Sequence, residues 1–237
     1  MSKLYFFRHA QASYGAENYD KLSPLGEKQS AILGEYLAGK QMHFDQIFVG
    51  PLQRQQHTYQ IVAETYQKRG LNIPAPIFLP ELKEHAGTEA TQKAIPQLIQ
   101  EVPQVKKWYQ EIVENPKLKK RNTLLAFQYF LDEWVTGKIE VEGIEPWHEF
   151  RQKVKSGLDH ILSETGKGET IGIFTSGGTI SSVTAEALRI QDERRVAAMN
   201  FSIRNTSFTT FLTSGNQFNL LSFNELPHLA EDMITFV

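Results

Sequence analysis

The chain contains no cysteine, so disulfides, thiolate nucleophiles and cysteine-ligated zinc are excluded from the outset. Long apolar runs are missing too, and nothing reaches the ~18 residues that a membrane-spanning helix needs. Nor is there an excess of charge of one sign. Twenty-five basic residues against 27 acidic ones leave a net charge of −2, without the basic surplus expected of a nucleic-acid-binding domain. The one local basic run, Lys117-Leu118-Lys119-Lys120-Arg121, reads as a solvated helix junction. The apolar opening Leu4-Tyr5-Phe6-Phe7 is too short for a secretory signal. These absences lead us to expect a soluble, cytoplasmic protein with no nucleic-acid or membrane partner. What is present is ordinary globular composition: 237 residues, 41% hydrophobic and 22% charged, enough for a sizeable core.

The pattern along the chain alternates strand and helix. Residues 3–8 read as a strand, and Ser23-Pro24 as a helix start, with Ser23 as cap and proline in the first turn. Phe44 to Val49 reads as a second strand, broken by Gly50-Pro51, and Leu52 to about Gln67 as a helix. Pro74 to Leu79 is a short extended segment. This order argues for an α/β fold with a mostly parallel central sheet flanked by helices. Residues 89–164 show helical apolar spacing throughout, and we read them as a helical cap inserted into a single domain spanning 1–237. The sheet resumes at Thr170 to Phe174, Thr175-Ser176-Gly177-Gly178 makes a turn, and a helix follows to about Ile190. Phe208 to Leu212 and Phe218 to Phe223 close the chain as a hairpin across Ser214-Gly215-Asn216. There is no internal repeat and no low-complexity tract.

Four polar pieces fall at the C-terminal ends of the expected strands or in the loops after them, where open α/β sheets place their ligands. They are Arg8-His9, Gly50-Pro51-Leu52-Gln53-Arg54, Leu82-Lys83-Glu84-His85 and Thr175-Ser176-Gly177-Gly178. Two arginines, a histidine, an acid and a glycine-rich helix start suit phosphoryl transfer through histidine. Arginine presents a fixed fork of donors to phosphate oxygens and offsets developing charge. A neutral imidazole attacks phosphorus, an acid protonates the leaving oxygen, and a helix N-terminus offers N–H groups to an anion.

With these residues in view, the sequence resembles the histidine phosphatase superfamily, the phosphoglycerate mutase-like proteins, over nearly its whole length. Arg8-His9-Ala10 resembles the family's Arg-His-Gly, and Leu22-Ser23-Pro24-Leu25-Gly26 its Leu-Thr-x-x-Gly. Gly50-Pro51-Leu52-Gln53-Arg54-Gln55-Gln56-His57-Thr58 is similar to Ser-x-Leu-x-Arg-x-x-x-Thr, and Leu82-Lys83-Glu84 to the Leu-x-Glu that carries the proton donor. Asn205-Thr206-Ser207 and Leu220 to Leu229 resemble the closing hairpin and tail. The resemblance implies that His9 forms a phosphohistidine, that Arg8 and Arg54 clamp the phosphoryl group, and that Glu84 is the general acid, with Glu81 as its competitor. It implies neither metal nor cofactor.

The departures from the family matter as much. Ser176 stands where the family has a second histidine, and losing one preorganised donor of that kind costs on the order of 3 kcal/mol, about a hundredfold in rate. Ser176 and the N–H groups of Gly177 and Gly178 remain as phosphate donors, while the alternative for Ser176 is a plain helix N-cap. His85, next to Glu84, and His57, one helical turn beyond Arg54, are candidates to compensate, and both read as bystanders. In the loop Gln11-Ala12-Ser13-Tyr14-Gly15, Ser13 replaces a phosphate-binding hydroxyl but the family's asparagine is absent. The reading is a phosphomonoester hydrolase acting on a small phosphorylated molecule. The alternative is a catalytically impaired relative that binds a phosphorylated ligand or a protein, and a phosphoglycerate-type mutase is least favoured. Arg121, Gln128, Trp134, Trp147 and Arg151 are candidates to line the substrate pocket from the cap, each with a competing core or surface role. The sequence says nothing of oligomeric state.

Overall fold

Alternating burial builds the sheet. In a computed structural model describing residues 1–13, 20–215 and 217–236, strand β1 (Ser2–Arg8) sits at the centre with Leu4, Phe6 and Phe7 fully buried. Five further strands join it: β2 (Gln46–Val49), β3 (Pro76–Phe78), β4 (Thr170–Thr175), β5 (Phe208–Ser214) and β6 (Gln217–Glu225). The six run in the order β3-β2-β4-β1-β5-β6. β1 to β4 are mutually parallel, β5 is antiparallel to β1, and β6 is antiparallel to β5, so only β5 opposes the common direction.

The helices are α1 (Pro24–Gly39), α2 (Gln53–Lys68), α3 (Gly87–Glu101), α4 (Pro103–Glu114), α5 (Lys119–Val135), α6 (Trp147–Glu164), α7 (Gly177–Leu188) and α8 (Glu193–Asn200). The chain divides into two compact units, Met1–Glu84 with Lys153–Gln191 and Ala198–Val237, and His85–Gln152 with Asp192–Ala197.

In the first unit, α1 and α2 cover one face of the sheet. Leu33, Leu37, Val62 and Tyr66 from the helices pack on Phe7, Val49, Phe174 and Phe208 from the strands. Phe7 stacks on Phe174 with centroids 4.9 Å apart. Side chains one residue along point the other way, as a strand requires: Phe6 meets Phe211 edge-on at 5.4 Å, and α7 packs against β1 and β6. The second unit is helical and built around aromatics. Phe130, Trp134, Trp147 and Phe150 are buried in it, and Trp134 meets Trp147 at 5.7 Å.

Local signals place the element starts well. Ser23 caps α1, its Oγ accepting from the Gly26 N–H at 3.0 Å with Pro24 in the first turn. The basic run at 117–121 lies at the α4–α5 junction, with its four charged residues exposed. Two features differ from the sequence reading. Thr175 belongs to β4 and Gly177 already to α7, so Ser176 alone makes the turn expected over 175–178. Helix α8 had no periodic signature, since only Val196 and Ala197 of its eight residues are buried. Of the turn expected at 214–216, Asn216 lies outside the described residues.

Candidate active site

Parallel register brings the polar pieces together. β2, β4 and β1 are neighbours, with Val49 and Phe7 both paired to Phe174, and Arg8 to Thr175. The chains therefore leave the sheet abreast, at Gly50, Ser176 and His9. The first backbone bonds past the strands hold them level: His9 N–H to Thr175 O at 2.9 Å, and Gly50 N–H to Phe174 O at 3.0 Å. This is the carboxyl edge at which open sheets bind ligands.

His9 is buried, and its two ring nitrogens have different partners. Nε2 lies 3.1 Å from Arg54 Nε, which can only donate, so Nε2 carries its lone pair. Nδ1 must then hold the proton, which it donates to Ala10 O at 2.7 Å. Burial, then the positive charges of Arg54 and Arg8, hold the imidazole pKa well below its ordinary 6.5. The ring is therefore neutral near pH 7, with a lone pair directed into a cationic site. Its own carbonyl is fixed from behind by Asn205 Nδ2 at 3.1 Å and the Thr206 N–H at 3.4 Å. Thr206 makes that turn at φ 58°, a left-handed conformation that costs a β-branched residue strain.

Arg54 stands in the first turn of α2. Its Nη1 pairs with Asp20 Oδ1 at 2.7 Å, while Asp20 Oδ2 accepts from the Gln53 N–H at 2.8 Å. One carboxylate thus anchors the guanidinium and caps the helix. Thr58, one turn on, accepts from the Ala10 N–H at 3.0 Å and ties the residue after the nucleophile to α2. Arg8 reaches the other way and donates through Nη1 to Ile203 O.

Ser176 occupies the N-cap position of α7, but its hydroxyl makes no capping bond. Glu84 takes that role, its Oε2 accepting from the Gly178 N–H at 3.0 Å. The Gly178 N–H, expected to be open to phosphate, is thus engaged by the candidate acid. Gly177 starts the helix, and a Cβ there would press on the Asn200 side-chain oxygen. Ser176 Oγ instead accepts from Gln55 Nε2 at 2.8 Å. Glu81 is placed differently from Glu84. It lies in the 3₁₀ turn Pro80–Leu82, with its Cβ against Gly157 of α6.

The remaining candidates lie elsewhere. Ser13 donates its hydroxyl to Leu22 O at 3.1 Å, within its own loop. Tyr14 and Gly15 lie outside the described residues. His57 is half-buried on α2. His85 belongs to the helical unit, with Nδ1 accepting from the Gly87 N–H at 3.0 Å and its ring among Trp134, Trp147 and Phe150. Of the proposed pocket residues, Trp134 and Trp147 are core, Arg151 pairs with Glu193 at 3.1 Å, and Arg121 and Gln128 are exposed. A cavity of about 220 Å³ in that unit is lined in part by both tryptophans and by none of the site residues.

Asp20, Gln55 and Asn205 contact the site directly and were not singled out from the sequence. Gln55 and Asn205 sat inside motifs quoted for their neighbours, and Asp20 gave no signal. Among the described residues no cluster of three or more His, Asp or Glu side chains is placed to hold a metal ion, and no helix is long and apolar enough to cross a membrane.

Comparison with known proteins agrees with this architecture. An α-ribazole phosphatase from Shigella flexneri is 18% identical and superposes with a TM-score of 0.61, covering 94% of this chain and 96% of its own. A phosphoserine phosphatase from Entamoeba histolytica, solved with 3-phosphoglyceric acid, is 18% identical with a TM-score of 0.60, covering 97% of this chain and all of its own. A phosphoglycerate mutase from Bacillus anthracis is 17% identical with a TM-score of 0.63, covering 94% of this chain and 93% of its own. At these identities the likeness is one of fold. No curated protein sequence matches the chain. The family model for the histidine phosphatase superfamily (branch 1) matches residues 4–129 and 117–226. The chain belongs to the histidine phosphatase superfamily.

Proposed function

We propose that this protein hydrolyses a small phosphomonoester through a phosphohistidine at His9. The observation that carries the reading is the fixed tautomer of His9: a neutral ring, Nδ1–H tied to Ala10 O, and Nε2 turned toward Arg54. The substrate phosphoryl group enters between Arg8, Arg54 and Ser176. Nε2 attacks phosphorus, the P–N bond forms, and the P–O bond to the leaving group breaks as protonated Glu84 gives its proton to that oxygen. Water then attacks phosphorus and passes a proton to the Glu84 carboxylate. The P–N bond breaks, inorganic phosphate leaves and the neutral ring returns. The two guanidiniums offset charge that builds on the equatorial oxygens. Glu84 is preferred to Glu81 as the acid because it bonds to the first turn of α7, one residue beyond Ser176–Gly177.

One observation favours a second reading, a relative that binds a phosphorylated ligand without turning it over. The Arg54 N–H occupies the His9 lone pair, so attack requires the incoming phosphoryl oxygens to draw Arg54 off the ring. The test is hydrolysis of p-nitrophenyl phosphate between pH 5 and 8 with chelator present, comparing wild type and His9→Ala. Turnover abolished by the substitution supports the phosphatase. Turnover no greater than that of His9→Ala, with phosphate still bound, establishes the second reading.

A further inference from the structure

Gln55 follows Arg54 in the first turn of α2, is fully buried, and has every polar atom engaged. Its Oε1 accepts from the Leu52 N–H at 3.0 Å. Its Nε2 donates to Leu82 O at 3.1 Å and to Ser176 Oγ at 2.8 Å. The orientation of the amide is therefore not free. Rotating it would set N–H against N–H at Leu52 and oxygen against oxygen at Leu82. Gly50 makes room for this side chain, since a Cβ there would run into Gln55 Oε1.

The consequence falls on Ser176. A hydroxyl has one hydrogen to give, and it can accept while giving it. With Gln55 as obligatory donor to Ser176 Oγ, the Ser176 proton has to go elsewhere. The side chain is fully buried, and among the described residues its one side-chain bond is the one it accepts from Gln55. A buried donor left unmade is costly, and Ser176 stands abreast of His9 at the ends of paired strands.

We propose that Gln55 is a positioning residue that fixes the Ser176 hydroxyl as a hydrogen-bond donor to the phosphoryl group. Consecutive residues of α2 thus divide the work: Arg54 supplies charge at the nucleophile and Gln55 sets the polarity of the neutral donor. This inference rests on the phosphoryl site proposed above, and it is tested by binding as well as by turnover.

The experiment is a double-mutant cycle of Gln55→Met and Ser176→Ala, read as orthovanadate affinity and as kcat and KM for p-nitrophenyl phosphate, with thermal melts to establish folding. Each single substitution is expected to weaken vanadate binding and kcat by about tenfold to a hundredfold. The double variant should lose no more than the weaker-binding single variant, because both remove one donor. Losses that multiply, or a Ser176→Ala variant that binds vanadate as wild type does, overturn the proposal. If Gln55→Met does not fold, Gln55→Leu replaces it. Leucine likewise removes the donor to Ser176 without adding charge beside the anion. It should lower vanadate affinity as far as Ser176→Ala, and wild-type affinity would overturn the proposal. Failure of the phosphatase reading shows separately, as wild-type protein that binds vanadate and responds to the cycle yet has no His9-dependent turnover.

Discussion

Two histidines, each held by a bond at Nδ1, show how differently the two units use buried space. His9 donates from Nδ1 to a carbonyl and faces a guanidinium with Nε2. His85 accepts at Nδ1 from the Gly87 N–H, so its proton lies on Nε2, and three aromatic rings lie within 6 Å. The surroundings follow the same division. Around His9 the buried residues include Arg8, Arg54, Gln55, Thr58, Ser176 and Asn205, held by bonds to backbone or to one another. Around His85 they are Trp134, Trp147 and Phe150. Polar groups cost free energy to bury unless satisfied, so a dense polar cluster at a sheet edge needs an explanation that an aromatic cluster does not. Phosphate chemistry supplies one, and apolar packing suffices for the other.

Exchanging the same residue in both places gives the largest contrast. His9→Gln should cut kcat for p-nitrophenyl phosphate by at least about a thousandfold, with little loss of stability. His85→Gln should leave kcat within about threefold and lower the urea midpoint by the equivalent of about 1–3 kcal/mol, as buried packing is lost. Steady-state rates and urea melts on both variants check this, and an equal effect on activity would erase the distinction.

A smaller effect sharpens the contrast through pH. Burial lowers His228 to about 4, and His9 is held well below 6.5 by burial and the two arginines. The unfolded chain takes up a proton at each near pH 6.5, whereas the native state stays neutral at both. The stability present above that pH is therefore lost as pH falls, by up to about 1.4 kcal/mol per pH unit for each histidine. His228 stacks at 16° on Phe208 with centroids 6.5 Å apart, and its Nε2 lies 3.1 Å from Thr206 Oγ1, so phenylalanine keeps the stacking and gives up that bond. His228→Phe should flatten the decline between pH 6.5 and 4 by one proton's worth, measured as urea midpoints against pH. An unchanged slope would mean that His228 titrates alike in both states.

The smallest effect separates charge from hydrogen bonding at the site's edge. Asp20→Asn keeps an acceptor for the α2 terminus but removes the charge that holds Arg54. It should lower kcat/KM about fivefold to tenfold by loosening the guanidinium, with an unchanged melting temperature. A matching loss of stability would mean that the carboxylate serves mainly as the helix cap.

Much of this molecule is legible from local pattern. The apolar run before Arg8-His9, the Ser23-Pro24 start and the Gly50-Pro51 break mark strand ends and helix starts because period and turn chemistry act over a few residues. They placed Arg8, His9, Arg54, Glu84 and Ser176 on one edge of a parallel sheet. Helix α8 and the contacts of Ser13 were not legible: the first has little apolar face, and the second depends on where its own loop folds back.

By itself, then, the sequence determined the alternation of strand and helix and the residue types at the strand ends. Tertiary structure decided which atom each of them faces. Gln55 and Ser176 are 121 residues apart, and Asn205 reaches His9 across 196. No spacing rule links such pairs, because sheet pairing rather than chain proximity brings them within hydrogen-bond range. The tautomer of His9, the carboxylate that caps α7 and the direction of the Ser176 hydroxyl all follow from that pairing.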